Sequence, residues 1–156
     1  MVTITKNTAG KATQEFVRDV LRQNLTDVQS PQRNGNEWIF KSHEEESRIK
    51  GKLPKVYVEQ ADEVRMNLAP NVIGPVRITL NIEVWCSGSS GEDYRDQLAD
   101  QIIQIISDPD SSDGSKTFKQ QYLRYKSSSQ ANDDTIIENT IIRIKRITAE
   151  FVYYGS

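Results

Sequence analysis

The chain carries 156 residues, 20 basic and 22 acidic, for a formal net charge of −2, with 36% apolar and 27% charged residues. That length fits a single domain spanning 1–156 that can build a core without disulfides or metals, and the composition is polar for a globular domain without being that of a disordered chain. The near-zero charge excludes a strong field for nucleic acid or an anionic membrane, the single cysteine, Cys86, excludes an intramolecular disulfide and a multi-cysteine metal site, and no apolar run approaches the roughly 18 residues of a membrane span.

The first 25 residues hold no continuous apolar stretch of the kind a secretory signal needs. Instead Phe16, Val17, Val20, Leu21 and Leu25 recur at three- and four-residue spacing, which predicts a helix from about Lys11 to Leu25 with Thr8 or Gly10 as its cap. Ser30-Pro31 and Asn34-Gly35 mark a loop and a turn. Trp38 and Phe40 open a short alternating run, Glu37 to Lys41, that reads as a strand. His43 to Lys52 is charged and too poor in apolar residues for a core, so 42–52 is expected to be a flexible loop.

Val56 and Val58 share one face of a strand at Lys55 to Glu59. The long segment 61–75 follows, apolar at Val64, Met66, Leu68, Val72 and Ile73 but punctuated by Pro70 and Gly74, and is expected to be a loop of unusual length. Two readings stand side by side for it. Either it folds back on its own core, or it is an arm that packs on a neighbouring subunit.

Val76, Ile78, Leu80, Ile82 and Val84 alternate with Arg77, Thr79, Asn81 and Glu83, the clearest strand in the chain. Ser89 and Glu92 have capping-box spacing at the start of a helix that runs to about Ser107 and ends at Asp108-Pro109. Its seam is Tyr94, Leu98, Ile102 and Ile105, widened by Ala99, Ile103 and Ile106. Phe118, Tyr122 and Tyr125 suit a short helix, and Tyr122 to Lys126 equally suits a strand. The polar segment 127–134 is expected to be a flexible loop. In the β-rich end, Thr135 to Tyr154, the apolar parity switches between Ile144 and Ile147, which predicts a bulge near Lys145-Arg146. The expected product is an α+β domain: a mostly antiparallel sheet of about four strands with two main helices packed on one face.

No constellation points to chemistry. His43 beside Glu44, Glu45 and Glu46 lacks zinc spacing and reads as a solvated charged loop. Cys86 with His43 as its base would make a nucleophile, against the reading of Cys86 as a buried apolar filler. Arg143, Lys145 and Arg146 read as a solvated strand face, and Arg124 and Lys126 beside Tyr122 and Tyr125 are the better nucleic-acid candidates. Asp108, Asp110 and Asp113 lack the remaining ligands of a calcium loop. No catalytic residue, metal or cofactor is expected.

The order of elements carries a resemblance. A helix precedes the strand Pro54-Lys55-Val56-Tyr57-Val58. A long connection leads to the strand Arg77 to Trp85, then to the helix containing Leu98-Ala99-Asp100-Gln101-Ile102-Ile103, and the β-rich C-terminal segment closes with Ala149-Glu150-Phe151-Val152-Tyr153-Tyr154. Over roughly Ala12 to Tyr154 this order is similar to that of the tail terminator and tail-completion (head–tail joining) proteins of long-tailed phages and related archaeal tailed viruses. The resemblance implies a non-enzymatic virion protein, assembled in the host cytoplasm, that closes with copies of itself into a ring, typically a hexamer. It would sit between the tail tube protein and a neck or connector protein, with DNA passing through its lumen without sequence-specific binding. A ring needs two different patches per subunit, and the expected interface residues are Val64, Arg65, Met66, Leu68, Val72, Ile73, Trp85, Arg124 and Lys126. Another neck protein on the same scaffold and a small nucleic-acid-binding module are the rival readings.

Overall fold

The computed structural model describes residues 2–43, 53–69, 72–88 and 91–155. Helix α1 spans Ala9–Asn24 and buries Phe16, Val17, Val20 and Leu21 completely, as their spacing requires. Thr8 occupies the N-cap position, but its hydroxyl pairs with that of Thr5 at 2.9 Å rather than with the helix. A short 3-10 turn, Gly35–Glu37, leads into strand β1, Ile39–Phe40. The remaining elements are β2 (Lys55–Ala69), β3 (Val72–Ser87), α2 (Gly91–Ser107), β4 (Leu123–Asn132), β5 (Thr135–Ile137) and β6 (Thr140–Tyr153). The expected Ser89 cap of α2 and residues 44–52 of the expected loop lie outside the described residues.

Among the described residues the class is α+β with two α-helices, but the expected sheet of about four antiparallel strands is corrected to a mixed sheet of six. The strand order is β1-β2-β3-β6-β4, with β5 paired to β6. β1 runs parallel to β2, with Ile39 opposite Val56, and the other pairs are antiparallel. Three sequence features concealed this. The two residues of β1 are too few to reveal a direction. The segment 61–75 is mostly strand, because Val64, Met66 and Leu68 alternate with Arg65 and Asn67 across the end of β2, and Pro70 falls between β2 and β3. Residues 127–132, expected in a loop, belong to β4, an edge strand whose polar side chains suit a solvated position while its backbone pairs with β6.

The expected bulge at Lys145-Arg146 is absent. β3 and β6 pair without interruption from Val76↔Tyr153 to Ser87↔Ile142; register shifts lie instead on β4 between Tyr125 and Ser127, and in the β2–β3 pairing at Gln60/Asp62, Arg65/Asn67 and Asn67/Ala69. What changes along β6 is the cover, not the backbone. Ile147, Ala149, Phe151 and Tyr153 face the helices, as do Arg143 and Lys145, whose charged ends reach Asp134 and Asp96. Ile142 and Ile144 face the other way and are buried there, Ile144 opposite Trp85 and Ile142 in a shallow hollow shared with Trp85 and Ile137.

The core fills the space between one sheet face and both helices. Val56, Val58, Val76, Ile78, Leu80, Ile82 and Val84 meet α1 and the α2 residues Leu98, Ala99, Ile102 and Ile106. Tyr94, expected in the α2 seam, is exposed, while Arg95 is buried in the ion network at the start of that helix. The turn after α2 settles the ambiguous segment. Phe118 to Tyr122 forms one hydrogen-bonded turn and the strand begins at Leu123.

Candidate functional site

The face of the sheet turned away from the helices carries the densest polar cluster. Tyr57, Glu83 and Arg146 are cross-strand neighbours on β2, β3 and β6. Glu83 is buried and accepts hydrogen bonds from Arg146 at 2.9 and 3.2 Å and from Trp85 Nε1 at 3.3 Å, with His43 Nε2 also 3.3 Å away. The His43 ring stacks on Tyr57 at 3.8 Å. Burial pushes the Glu83 carboxyl up, but the hydrogen bonds from Arg146, Trp85 and His43 and the charge of Arg146 outweigh it and hold the group below its ordinary value of 4.5. The Glu83 carboxylate thus ties Arg146, Trp85 and His43 together on this face of the sheet. His43 lays one ring face on the sheet while its side chain stays 45% exposed, and Glu44 to Glu46 lie outside the described residues.

Cys86 points to the opposite side. It is buried among the helix-facing core residues, and burial pushes its thiol up to about 12. The sheet thus separates Cys86 from His43, and the two do not form a nucleophile–base pair. The native protein is expected to resist a thiol reagent at pH 8 and to react fully once unfolded; rapid labelling of the native state would mean that the thiol is not held in the core.

The five basic residues considered for nucleic acid are also divided. Arg143 and Lys145 lie on the helix side, paired with Asp134 at 2.8 Å and Asp96 at 2.7 Å. Those two carboxyls are held below their ordinary value, Asp134 chiefly by the Arg143 hydrogen bond and Asp96 chiefly by that from Lys145. Arg146 lies on the other side against Glu83. Arg124 and Lys126 are exposed on β4 near the far end of the sheet. No single basic face results.

The expected interface residues fall into two groups. β6 pairs with β3 only as far as Val76, so beyond it β2 and β3 continue alone as a two-stranded arm, with Arg65↔Val76, Asn67↔Ile73 and Ala69↔Val72. Val64 and Met66 are half-buried at its base and Arg65 is exposed. The backbones of Leu68, Val72 and Ile73 are in the arm, and their side chains lie outside what the structure describes. Arg124 belongs with the arm, because one row across the sheet runs Val64–Arg77–Val152–Arg124; Lys126 follows two residues along β4. Trp85 does not. It lies nine residues from Val76 along β3, roughly 30 Å away, against His43 and Tyr57.

Two apolar surfaces escaped the sequence reading. At the arm end of the sheet, Ile106, Pro109, Phe118, Tyr122, Leu123, Tyr125 and Tyr154 line a cleft of about 370 Å³ with Lys119 and Arg124 beside it. Tyr122 has φ 57° and is 66% exposed, and its carbonyl accepts the Tyr154 N–H at 2.9 Å. At the other end, β5 and β6 join through Glu138 and Asn139, both with positive φ (49° and 63°), the geometry of a tight hairpin turn. Ile136 and Ile141 pair across that hairpin and stand 70% and 49% exposed.

No protein-family model matches the sequence, and no curated protein matches it either. Among the described residues no group of three His, Cys, Asp or Glu side chains is placed to hold a metal ion, and no helix is long and apolar enough to cross a membrane.

Proposed function

We propose that this chain is a virion structural protein, a tail terminator, that closes with copies of itself into a ring on the end of a tail tube and joins the tube to a neck or connector protein. DNA passes through the lumen without being read. The order of elements described above supports this reading. The observation that carries it is the two-stranded arm. An isolated pair of strands is marginal in water, and this one leaves the sheet with no third strand beside it among the described residues. A partner surface that covers the arm removes that weakness, and a neighbouring subunit supplies one in a ring. The contact is heterologous, since an arm on one copy meets a different patch on the next, and such contacts close when the rotation between subunits closes.

Light scattering over a concentration series provides the test, on the full chain and on a variant in which residues 65–74 are replaced by a short Gly-Asn turn. The full chain is expected to form a discrete closed oligomer of about six subunits, and the shortened chain to be monomeric with an unchanged fold by circular dichroism. A full chain that remains monomeric at every concentration overturns the self-closing ring.

A further inference from the structure

We infer that the β5–β6 hairpin of one copy seats Ile136 and Ile141 in the tyrosine cleft of a second copy, with Glu138 against Lys119 and Arg124 at the cleft rim. The contact rests on the ring reading and names the surfaces that would join its subunits.

The plug is built to be buried. Ile136 and Ile141 lie side by side on one face of a hairpin closed by a tight turn, so the pair is presented with little freedom to lose on docking. Two adjacent branched aliphatic side chains at 70% and 49% exposure are an apolar projection that water does not favour. On the opposite face of the same hairpin Ile137, 45% exposed, turns toward the sheet and borders a hollow with Trp85 and Ile142 rather than projecting from it.

The socket is concave and apolar, within the size range of pockets that take small ligands. Its rim is held by an unusual backbone. A bulky residue with positive φ is a genuine outlier, and at Tyr122 it places an exposed phenol ring beside the cleft. Such strain at a surface position is a pointer to function.

A chain cannot fill its own socket. Ile141 and Tyr153 are twelve residues apart on one continuous strand, about 40 Å. The plug and the socket therefore sit at opposite ends of β6, as a head-to-tail contact between copies requires. Charge agrees with shape. Glu138 lies at the tip of the plug, Lys119 and Arg124 flank the socket, and all three are exposed. None of them forms an ion pair among the described residues. The arm stands at the socket end, so it would clasp the neighbour whose hairpin enters the cleft.

The test mixes two variants of the full chain and measures mass by sedimentation velocity, with circular dichroism to confirm folding. Ile136→Asp removes the plug and leaves the socket, while Tyr122→Asp spoils the socket and leaves the plug. Each alone is expected to weaken self-association at least tenfold, and their equimolar mixture to give a species of two chains, because one intact plug meets one intact socket. Glu138→Arg and Arg124→Glu are each expected to weaken assembly, and the combination in one chain to recover most of it. If the wild type is oligomeric and both single variants assemble as well as it does, the plug-and-socket contact is wrong while the ring survives. Variants that are folded and monomeric, but whose mixture also remains monomeric, likewise overturn it. A monomeric wild type overturns the ring reading and this contact with it.

Discussion

Replacing Asp27 by alanine is expected to destabilise the fold by about 3 kcal/mol, the low end of the loss on breaking a buried ion pair. The Asp27 side chain is 1% exposed and its partner, the side chain of Arg33, 13% exposed. Both carboxylate oxygens are used. Oδ2 accepts the Arg33 backbone N–H and Nε, each at 2.8 Å, and Oδ1 accepts Nη2 at 3.1 Å and the Gln29 N–H at 3.1 Å. Arg33 in turn donates to the Pro54 carbonyl at 2.7 Å and lies over the Trp38 ring. One carboxylate thus fastens the loop after α1 to the entrance of β2. Alanine leaves the guanidinium sheltered from water without its bidentate anion, and leaves two backbone donors without an acceptor. Urea denaturation of wild type and variant at pH 7 measures the difference. A loss well under 1 kcal/mol would mean that the loop rearranges and Arg33 donates to other acceptors, water among them.

The same pair gives a pH signature with a definite sign. Burial raises the Asp27 pKa, but the hydrogen bonds from Arg33 and Gln29 and the Arg33 charge outweigh it and hold the group below its ordinary 3.8. A carboxyl depressed in the folded state contributes stability above its unfolded value, and that contribution disappears as the pH falls through the folded value. The gap between wild type and Asp27→Ala should therefore be constant near neutrality and shrink below pH 3.8.

The helices and the central strand were legible because burial there follows the period of the element. Phe16, Val17, Val20 and Leu21 form a helical stripe, and Val76 to Val84 alternates as a half-buried strand does. Where cover comes from an unexpected side, the pattern misleads. Ile142 and Ile144 sit on the face away from the helices, so a change of cover looked like a bulge. The arm was hidden by Pro70 and Gly74, although the alternation through Val64, Met66 and Leu68 was present in the residues themselves. β4 was hidden for the opposite reason, since an edge strand with solvated side chains needs no apolar period. The candidate surfaces were less legible still. His43 and Glu83 are 40 residues apart and meet only through the parallel placement of β1 beside β2. The cleft depends on the left-handed backbone of Tyr122, which no residue type announces when the residue is not glycine or asparagine.

Phe118→Ala is expected to cost about 3–5 kcal/mol, as for other buried phenylalanines, and to lower Tm by roughly 10–15 °C for a domain of this size. Phe118 is 1% exposed. It meets Phe16 of α1 edge-on at 5.1 Å and stacks parallel to Phe151 of β6 at 5.9 Å. Its N–H is held by the Ser111 carbonyl at 3.1 Å, so the ring is carried by the turn that follows α2 rather than by an element of its own. One side chain therefore joins α1, the sheet and that turn. Truncation leaves a cavity bounded by rigid elements on two sides, which limits collapse and puts the cost in the upper part of the range. Phe118→Leu, which keeps most of the volume, should lose far less. The double variant with Phe16→Ala should fall short of additivity by about 0.5–1.5 kcal/mol, the worth of an aromatic pair beyond its buried area. Phe118 also lines the tyrosine cleft, so its removal deepens the socket. Self-association of Phe118→Ala, measured well below its own Tm, should then be weaker than that of wild type, whereas a variant of equal stability cost far from the cleft, such as Ile39→Ala within β1, should assemble normally at the same temperature. Equal assembly by both would separate the cleft from the contact between copies.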